Sequence, residues 1–216
     1  MHDSYLLCLC DYGRRLIADR LTTGTGGNLS IYDRDRNLIA ITPTGKPYEQ
    51  LTPDEISIIS PEGIYLDGPP PSSEWPLHTA VYQKRHTINA IVHTHSRFAT
   101  TFAILREPIP ACHYLIAVSG TDRIRVAPYA TFGTNELARQ TVASLGKDNC
   151  ILMANHGLLA VGQDLPQAYS IALYIEEVAE LYYRSRAIGA PALLTRKEMD
   201  AAREHFKTYG TGAPSK

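Results

Sequence analysis

No segment of the sequence approaches the ~20 consecutive apolar residues of a membrane-spanning helix. Asp3 and Asp11 interrupt the N-terminus where a secretory leader would carry a basic stretch and then an unbroken apolar one. The protein is therefore expected to be cytoplasmic. No Cys-x-x-Cys pair is present, which argues against a zinc ribbon; the four cysteines stand at positions 8, 10, 112 and 150. Cys8 and Cys10 are two apart on a predicted helix and diverge, so the thiols read as reduced core residues. Nor is there a basic stripe. Lysines and arginines are scattered among acids, the formal net charge is −1 and the pI is near 6.7, so neither nucleic acid nor an anionic membrane is an expected partner. No linker-like stretch divides the 216 residues, a length sufficient for one domain with a substantial core.

Two glycine-bearing loops lack nucleotide signatures. In Thr22-Thr23-Gly24-Thr25-Gly26-Gly27-Asn28 the third glycine of a dinucleotide fingerprint would fall on Leu29. In Thr42-Pro43-Thr44-Gly45-Lys46-Pro47 no glycine stands five residues before Gly45, and Pro47 replaces the required serine or threonine. The first loop fits an ordinary turn between helix and strand. Its permissive glycines also fit a nest of backbone N–H groups around an anion.

What is present centres on histidine. Ala90-Ile91-Val92-His93-Thr94-His95-Ser96 reads as an apolar strand, and residues two apart on a strand project from one face, so His93 and His95 point the same way. Cys150-Ile151-Leu152-Met153-Ala154-Asn155-His156-Gly157 is a second apolar strand delivering one histidine into a turn. Three neutral imidazoles leave an open position on a divalent ion, the pattern of a catalytic rather than a structural zinc. Glu74 precedes the pair by less than one helix and one loop, which makes it a candidate proton-transfer group; the spacing leaves open whether it reaches the metal. Ser72 or Ser73 suits the cap of the helix that follows, with Glu74 and Pro76 in its first turn, so capping explains much of the same stretch. His78, four residues after Glu74, shares its helix face and is expected to position it or fill the interface, not to bind metal.

Elsewhere, helical periodicity predicts helices over 4–20, 98–105, 135–145, 165–182 and 196–206, with Glu176, Glu177 and Glu180 on a solvated face. Strands are predicted over 29–32 and 38–42 as a hairpin, and over 56–60, 64–66, 125–128 and 158–161. His113 reads as structural, and Tyr114 on the residues alone is an aromatic beside an apolar run.

The motifs Pro71-Ser72-Ser73-Glu74-x-x-x-His78, Val92-His93-Thr94-His95 and Asn155-His156-Gly157-Leu158, in this order and with these gaps, resemble the class II aldolase family, which also contains the adducin head domains. The likeness runs from Gly24-Thr25-Gly26-Gly27-Asn28 to Phe206-Lys207-Thr208-Tyr209-Gly210, nearly the whole chain, and its C-terminal segment is most similar to members that cleave L-fuculose 1-phosphate. The resemblance implies a single three-layer α/β domain over residues 1–207, with a mixed, mostly antiparallel sheet covered by helices, and a mobile tail, 208–216, whose Tyr209 helps close the site. It implies one Zn2+ per subunit on His93, His95 and His156, with Glu74 as a resting-state ligand. Glu74 is then the catalytic base and Tyr114, reaching from a neighbouring subunit, the proton donor. Thr25, Gly27, Asn28, Thr44, Gly45, Ser72 and Ser73 would hold the substrate phosphate.

The implied reaction is reversible cleavage of L-fuculose 1-phosphate to dihydroxyacetone phosphate and L-lactaldehyde through a metal-stabilised enediolate, in a homotetramer with sites between subunits. A ribulose-phosphate 4-epimerase of the same fold carries aspartate in place of Glu74. A methylthioribulose-phosphate dehydratase keeps similar histidines and a glutamate, and only the C-terminal segment speaks against it. An adducin-like scaffold loses metal ligands that this chain retains.

Overall fold

Successive side chains on a strand leave by opposite faces, so a strand buried on both sides must be apolar throughout and feed two separate cores. The strand at the centre of the sequence argument behaves this way: Ala90 and Val92 belong to one buried cluster and Ile91 to the other. The computed structural model describes residues 1–208, with side chains as far as Phe206. Eight strands form one sheet: β1 (Asn28–Asp33), β2 (Leu38–Ile41), β3 (Ser57–Ile59), β4 (Tyr65–Asp67), β5 (Ala90–Thr94), β6 (Val126–Ala127), β7 (Cys150–Met153) and β8 (Gly157–Gly162). Their spatial order is β4-β3-β2-β1-β5-β8-β7-β6, and every pairing is antiparallel except β6 with β7.

The helices divide between the two faces. α1 (Asp3–Ala18), α3 (Arg97–Leu105) and α5 (Leu165–Ile188) bury Leu9, Leu16, Phe102, Ile171, Ile175 and Val178 in one cluster. α2 (Trp75–Lys84) and α4 (Asn135–Leu145) bury Leu77, Val81, Leu137 and Leu145 in the other. The last helix, α6 (Arg196–Thr208), packs against a 3-10 turn at Tyr114–Ser119. The result is the expected three-layer α/β domain with a mixed, mostly antiparallel sheet. The tail beyond 208, with Tyr209, lies outside the described residues. Among those described, no helix is long and apolar enough to cross a membrane. All four cysteines are free, but only Cys10 and Cys150 are buried, so Cys8 and Cys112 are rim rather than core thiols.

Glu176 departs from the expected solvated face. Its two carboxylate oxygens accept the backbone N–H groups of Phe98 and Ala99, each at 2.8 Å. The reason lies in α3, whose cap residue Ser96 makes no side-chain hydrogen bond to the helix's first turn, leaving those donors to find an acceptor on the neighbouring α5. This ties down the helix that follows His95. Glu176→Ala should lower unfolding free energy by about 1–2 kcal/mol, read from urea unfolding midpoints; an unchanged midpoint would show that the cap is energetically idle.

Candidate metal centre

The three histidines and Glu74 converge from four places in the chain. His93 is on β5 and His95 just past its end, while His156 sits in the turn joining β7 to β8. Their meeting depends on register: β8 pairs with β5 so that Leu159 faces His93 and Leu158 faces Thr94, which lays the β7–β8 turn against the end of β5. Gly157 permits that approach, since a Cβ there would stand 2.2 Å from the Thr94 carbonyl oxygen. Gly27, at φ +70°, plays the same part on the β1 side, where a Cβ would lie 2.5 Å from the His93 oxygen. Asn155, at φ +55°, makes the turn before His156; its N–H bonds the Ala103 carbonyl and its side-chain oxygen takes Arg106 Nε.

Glu74 occupies the cap position of α2 but does not cap it. The Ser72 hydroxyl accepts the Glu74 N–H at 3.3 Å, which frees the carboxylate to turn toward the imidazoles. The serine thus steadies the glutamate's own backbone, not the first turn beyond it. Glu74 Oε2 lies 3.0 Å from His93 Nε2, and Oε1 lies 3.4 Å from His156 Nε2. His93 Nε2 is also 3.0 Å from His95 Nε2. One ligand atom from each of the four residues falls within 4.8 Å of all the others. His113 is elsewhere, its ring accepting the Leu115 N–H at the start of the 3-10 turn.

These contacts fit a cation. His93 Nδ1 is 2.9 Å from the Leu158 carbonyl, which can only accept, so Nδ1 carries the proton and the neutral ring aims its Nε2 lone pair at a carboxylate oxygen and a second imidazole nitrogen. A proton on Nε2 would relieve one of these clashes. It would leave Glu74 Oε1, buried and without a hydrogen-bond partner, still unsatisfied. A divalent ion among the four groups removes all the conflicts together, and three nitrogens with one oxygen suit zinc and its neighbours.

The electrostatics agree. Burial is the largest influence on His95 and His156 and pushes them down, to about 3 and about 4, so both imidazoles are neutral and able to ligate; a proton added to His93 would push them the same way. Burial would lower His93 too, but the adjacent Glu74 carboxylate and the Leu158 carbonyl raise it. For Glu74 burial is the largest influence and raises the carboxyl; His93, His156 and the Asn28 amide together outweigh it and hold it below the usual carboxylate range.

A cavity of about 450 Å3 opens over this group, with Glu74, His95 and His156 in its wall and His93 behind them. Thr25, Gly27, Asn28, Thr44, Gly45, Ser72 and Ser73 all line it. Their three loops are held side by side by the Ser72 N–H on the Thr42 carbonyl, the Thr44 N–H on the Pro70 carbonyl, and the buried Tyr48 hydroxyl on the Gly27 carbonyl at 2.7 Å. Tyr48 had no role in the sequence reading.

The residues 8–183 match the model of the class II aldolase and adducin N-terminal domain. The chain belongs to the class II aldolase family. It is 42% identical over 92% of its length, and 93% of the relative's, to a 5-deoxy-D-ribulose 1-phosphate aldolase of Bacillus thuringiensis. It is 44% identical over 88% of both chains to an L-fuculose phosphate aldolase of Escherichia coli O6:H1. A solved L-fuculose 1-phosphate aldolase superposes with a TM-score of 0.93 at 41% identity, covering 96% of this chain and 98% of the other. Family and site together support class II aldolase, that is lyase, chemistry at a metal-binding group.

Tyr114 is not in the wall of its own chain's cavity. It is half exposed and stacked on Phe206, at the edge of a groove between the 3-10 turn, α5 and α6. Conversely, Tyr129, Ala130 and Phe132 form an apolar wall that the sequence reading missed. Their only signal was two aromatics in a loop with no strand or helix periodicity to bury them, and Phe132 is 66% exposed.

Proposed function

We propose that this class II aldolase is zinc-dependent and reversibly cleaves L-fuculose 1-phosphate to dihydroxyacetone phosphate and L-lactaldehyde. The observation that carries the reading is the buried carboxylate and imidazole group at the wall of a cavity rimmed by three loops of hydroxyls and backbone N–H groups. His93, His95 and His156 would hold the ion, with Glu74 as a fourth ligand before substrate arrives. When bound, the ion supplies Lewis acidity at the ketose carbonyl and the adjacent hydroxyl.

The protein's own groups do the rest. Glu74, ionised and braced by Asn28, moves the proton at the nucleophilic carbon. Thr25, Gly27, Asn28, Thr44, Gly45, Ser72 and Ser73 take the phosphate. No lysine or arginine is among the described residues lining the cavity, so neutral donors must converge on the anion. Tyr114 handles the proton on the aldehyde-derived oxygen, which a phenol can do while neutral at rest. Its place outside the chain's own cavity supports a homotetramer in which one subunit completes its neighbour's site. Residues 1–207 would form the catalytic domain, and Tyr209 on the following tail would help close it.

The relative named for 5-deoxy-D-ribulose 1-phosphate favours a second reading. Cleavage there also yields dihydroxyacetone phosphate, with an aldehyde shorter by one CHOH group. Zinc-loaded protein offered L-fuculose 1-phosphate, 5-deoxy-D-ribulose 1-phosphate, 5-methylthioribulose 1-phosphate and L-ribulose 5-phosphate separates the cases by product. We expect dihydroxyacetone phosphate, with kcat/KM for L-fuculose 1-phosphate at least ~10-fold above the deoxy sugar, the scale on which a small pocket discriminates. The reverse ratio transfers the assignment to the deoxy sugar. An epimerised or dehydrated product without dihydroxyacetone phosphate would overturn the aldolase reading.

A further inference from the structure

From Glu74 inward five polar side chains, Glu74 included, form an unbroken buried line, contributed by two elements with matching repeats. Glu74, His78 and Tyr82 are four apart along α2, roughly 6 Å per step. Asn28 and Ser30 are two apart on β1, roughly 6.6 Å per step. The rungs therefore stay aligned from the metal centre into the core. Tyr82 OH lies 2.7 Å from Ser30 Oγ, and Ser30 Oγ 2.6 Å from His78 Nδ1. His78 Nε2 lies 2.6 Å from Asn28 Oδ1, and Asn28 Nδ2 3.0 Å from Glu74 Oε2. His78 and Ser30 are wholly inaccessible to solvent.

The line has one polarity. An ionised carboxylate only accepts, so Asn28 turns its NH2 to Glu74 and its oxygen to His78. His78 must then carry its proton on Nε2 and accept at Nδ1 from the Ser30 hydroxyl, whose oxygen lies beside the Tyr82 hydroxyl; that hydroxyl also donates to the Ser30 carbonyl at 3.1 Å. From Ser30 onward every donor points toward Glu74. The second N–H of Asn28 is the one it has left to offer the cavity that it lines. With the other tautomer, the His78 lone pair would face the amide oxygen; turning the amide over would set its oxygen 3.0 Å from a carboxylate oxygen.

We infer that His78 is a positioning residue for the reaction, fixing through Asn28 both the orientation of the Glu74 carboxylate and the donor side of the amide that faces substrate. The inference rests on Glu74 being the proton-transfer group. His78 itself lies outside the cavity wall and touches no reacting atom.

Neutron diffraction from crystals of the metal-loaded wild-type protein reads the line directly. We expect deuterium on His78 Nε2 and the Asn28 nitrogen facing Glu74; deuterium at Nδ1, or the Asn28 oxygen facing Glu74, overturns the inference. In solution, His78→Gln keeps an N–H donor near the place of Nε2 and should hold kcat within about threefold. His78→Leu removes the donor at similar bulk and should lower kcat about 10–100-fold, by more than any rise in KM, with metal content per subunit unchanged. A His78→Leu kcat within about twofold of wild type, equal losses in both variants, or loss of metal from His78→Leu would each sink it. If Glu74→Gln is inactive while His78→Leu is unimpaired, only this inference fails. An active Glu74→Gln removes the reading beneath it.

Discussion

Glu74→Gln should lower turnover by about 10²–10⁴-fold while the protein keeps its metal, because the substitution deletes a proton acceptor and a charged resting ligand but leaves the three imidazoles in place. The residue is 5% exposed, so the replacement must fit the same space, and glutamine does. Its amide oxygen can still accept the Asn28 N–H that now bonds Oε2 at 3.0 Å. The three imidazoles remain, and His93 keeps its orientation through the Leu158 carbonyl. Steady-state release of dihydroxyacetone phosphate, set beside metal content by elemental analysis, gives the two numbers. A variant that turns over within about threefold of wild type would exclude Glu74 as the base. One that is inactive because it has lost the ion would assign the residue to metal retention instead.

Stripping the metal with a chelator should abolish turnover and also loosen the fold. The first effect follows from the chemistry. Without a cation, nothing stabilises the charge that develops when the carbon–carbon bond breaks. The second follows from the geometry, since an acceptor-rich group with a buried, unpartnered Glu74 Oε1 is left to repel itself inside the protein. An ion present at ~1,000 times its dissociation constant stabilises the folded state by about 4 kcal/mol. For a chain of this length that corresponds to a melting temperature roughly 10 °C lower after stripping. Readdition of zinc should restore both activity and melting temperature; cobalt and manganese, added in parallel, test the identity of the ion. Full turnover by protein shown to be metal-free would rule the mechanism out.

The strands and helices were legible from the sequence where periodicity is strong. α4 spans the predicted residues, and β1 and β2 form the expected hairpin. His93 and His95 share a face because the side-chain period of a strand is two. Both rings lie within reach of His156, at 4.7 Å between the pair and 4.8 and 5.1 Å to the third. What periodicity could not reveal was the side chains whose role depends on a neighbour far along the chain. Glu176 looked solvated because nothing local marks it as the acceptor for Phe98, 78 residues earlier in the chain. Tyr129 and Phe132 sit in a loop without repeat, so their place in the cavity wall had no pattern to announce it.

Local order along the chain thus specified which residues are candidates for the metal group: backbone geometry and residue type suffice to put two imidazoles on one strand face and a third in a turn. Their convergence was settled by the fold, through the pairing of β8 with β5, which no short-range preference encodes. The same holds for the line from Tyr82 to Glu74. Its members are unremarkable polar residues at spacings of four and two until α2 is laid across β1, and only then do Ser30, His78 and Asn28 each acquire the acceptor that gives the line its direction.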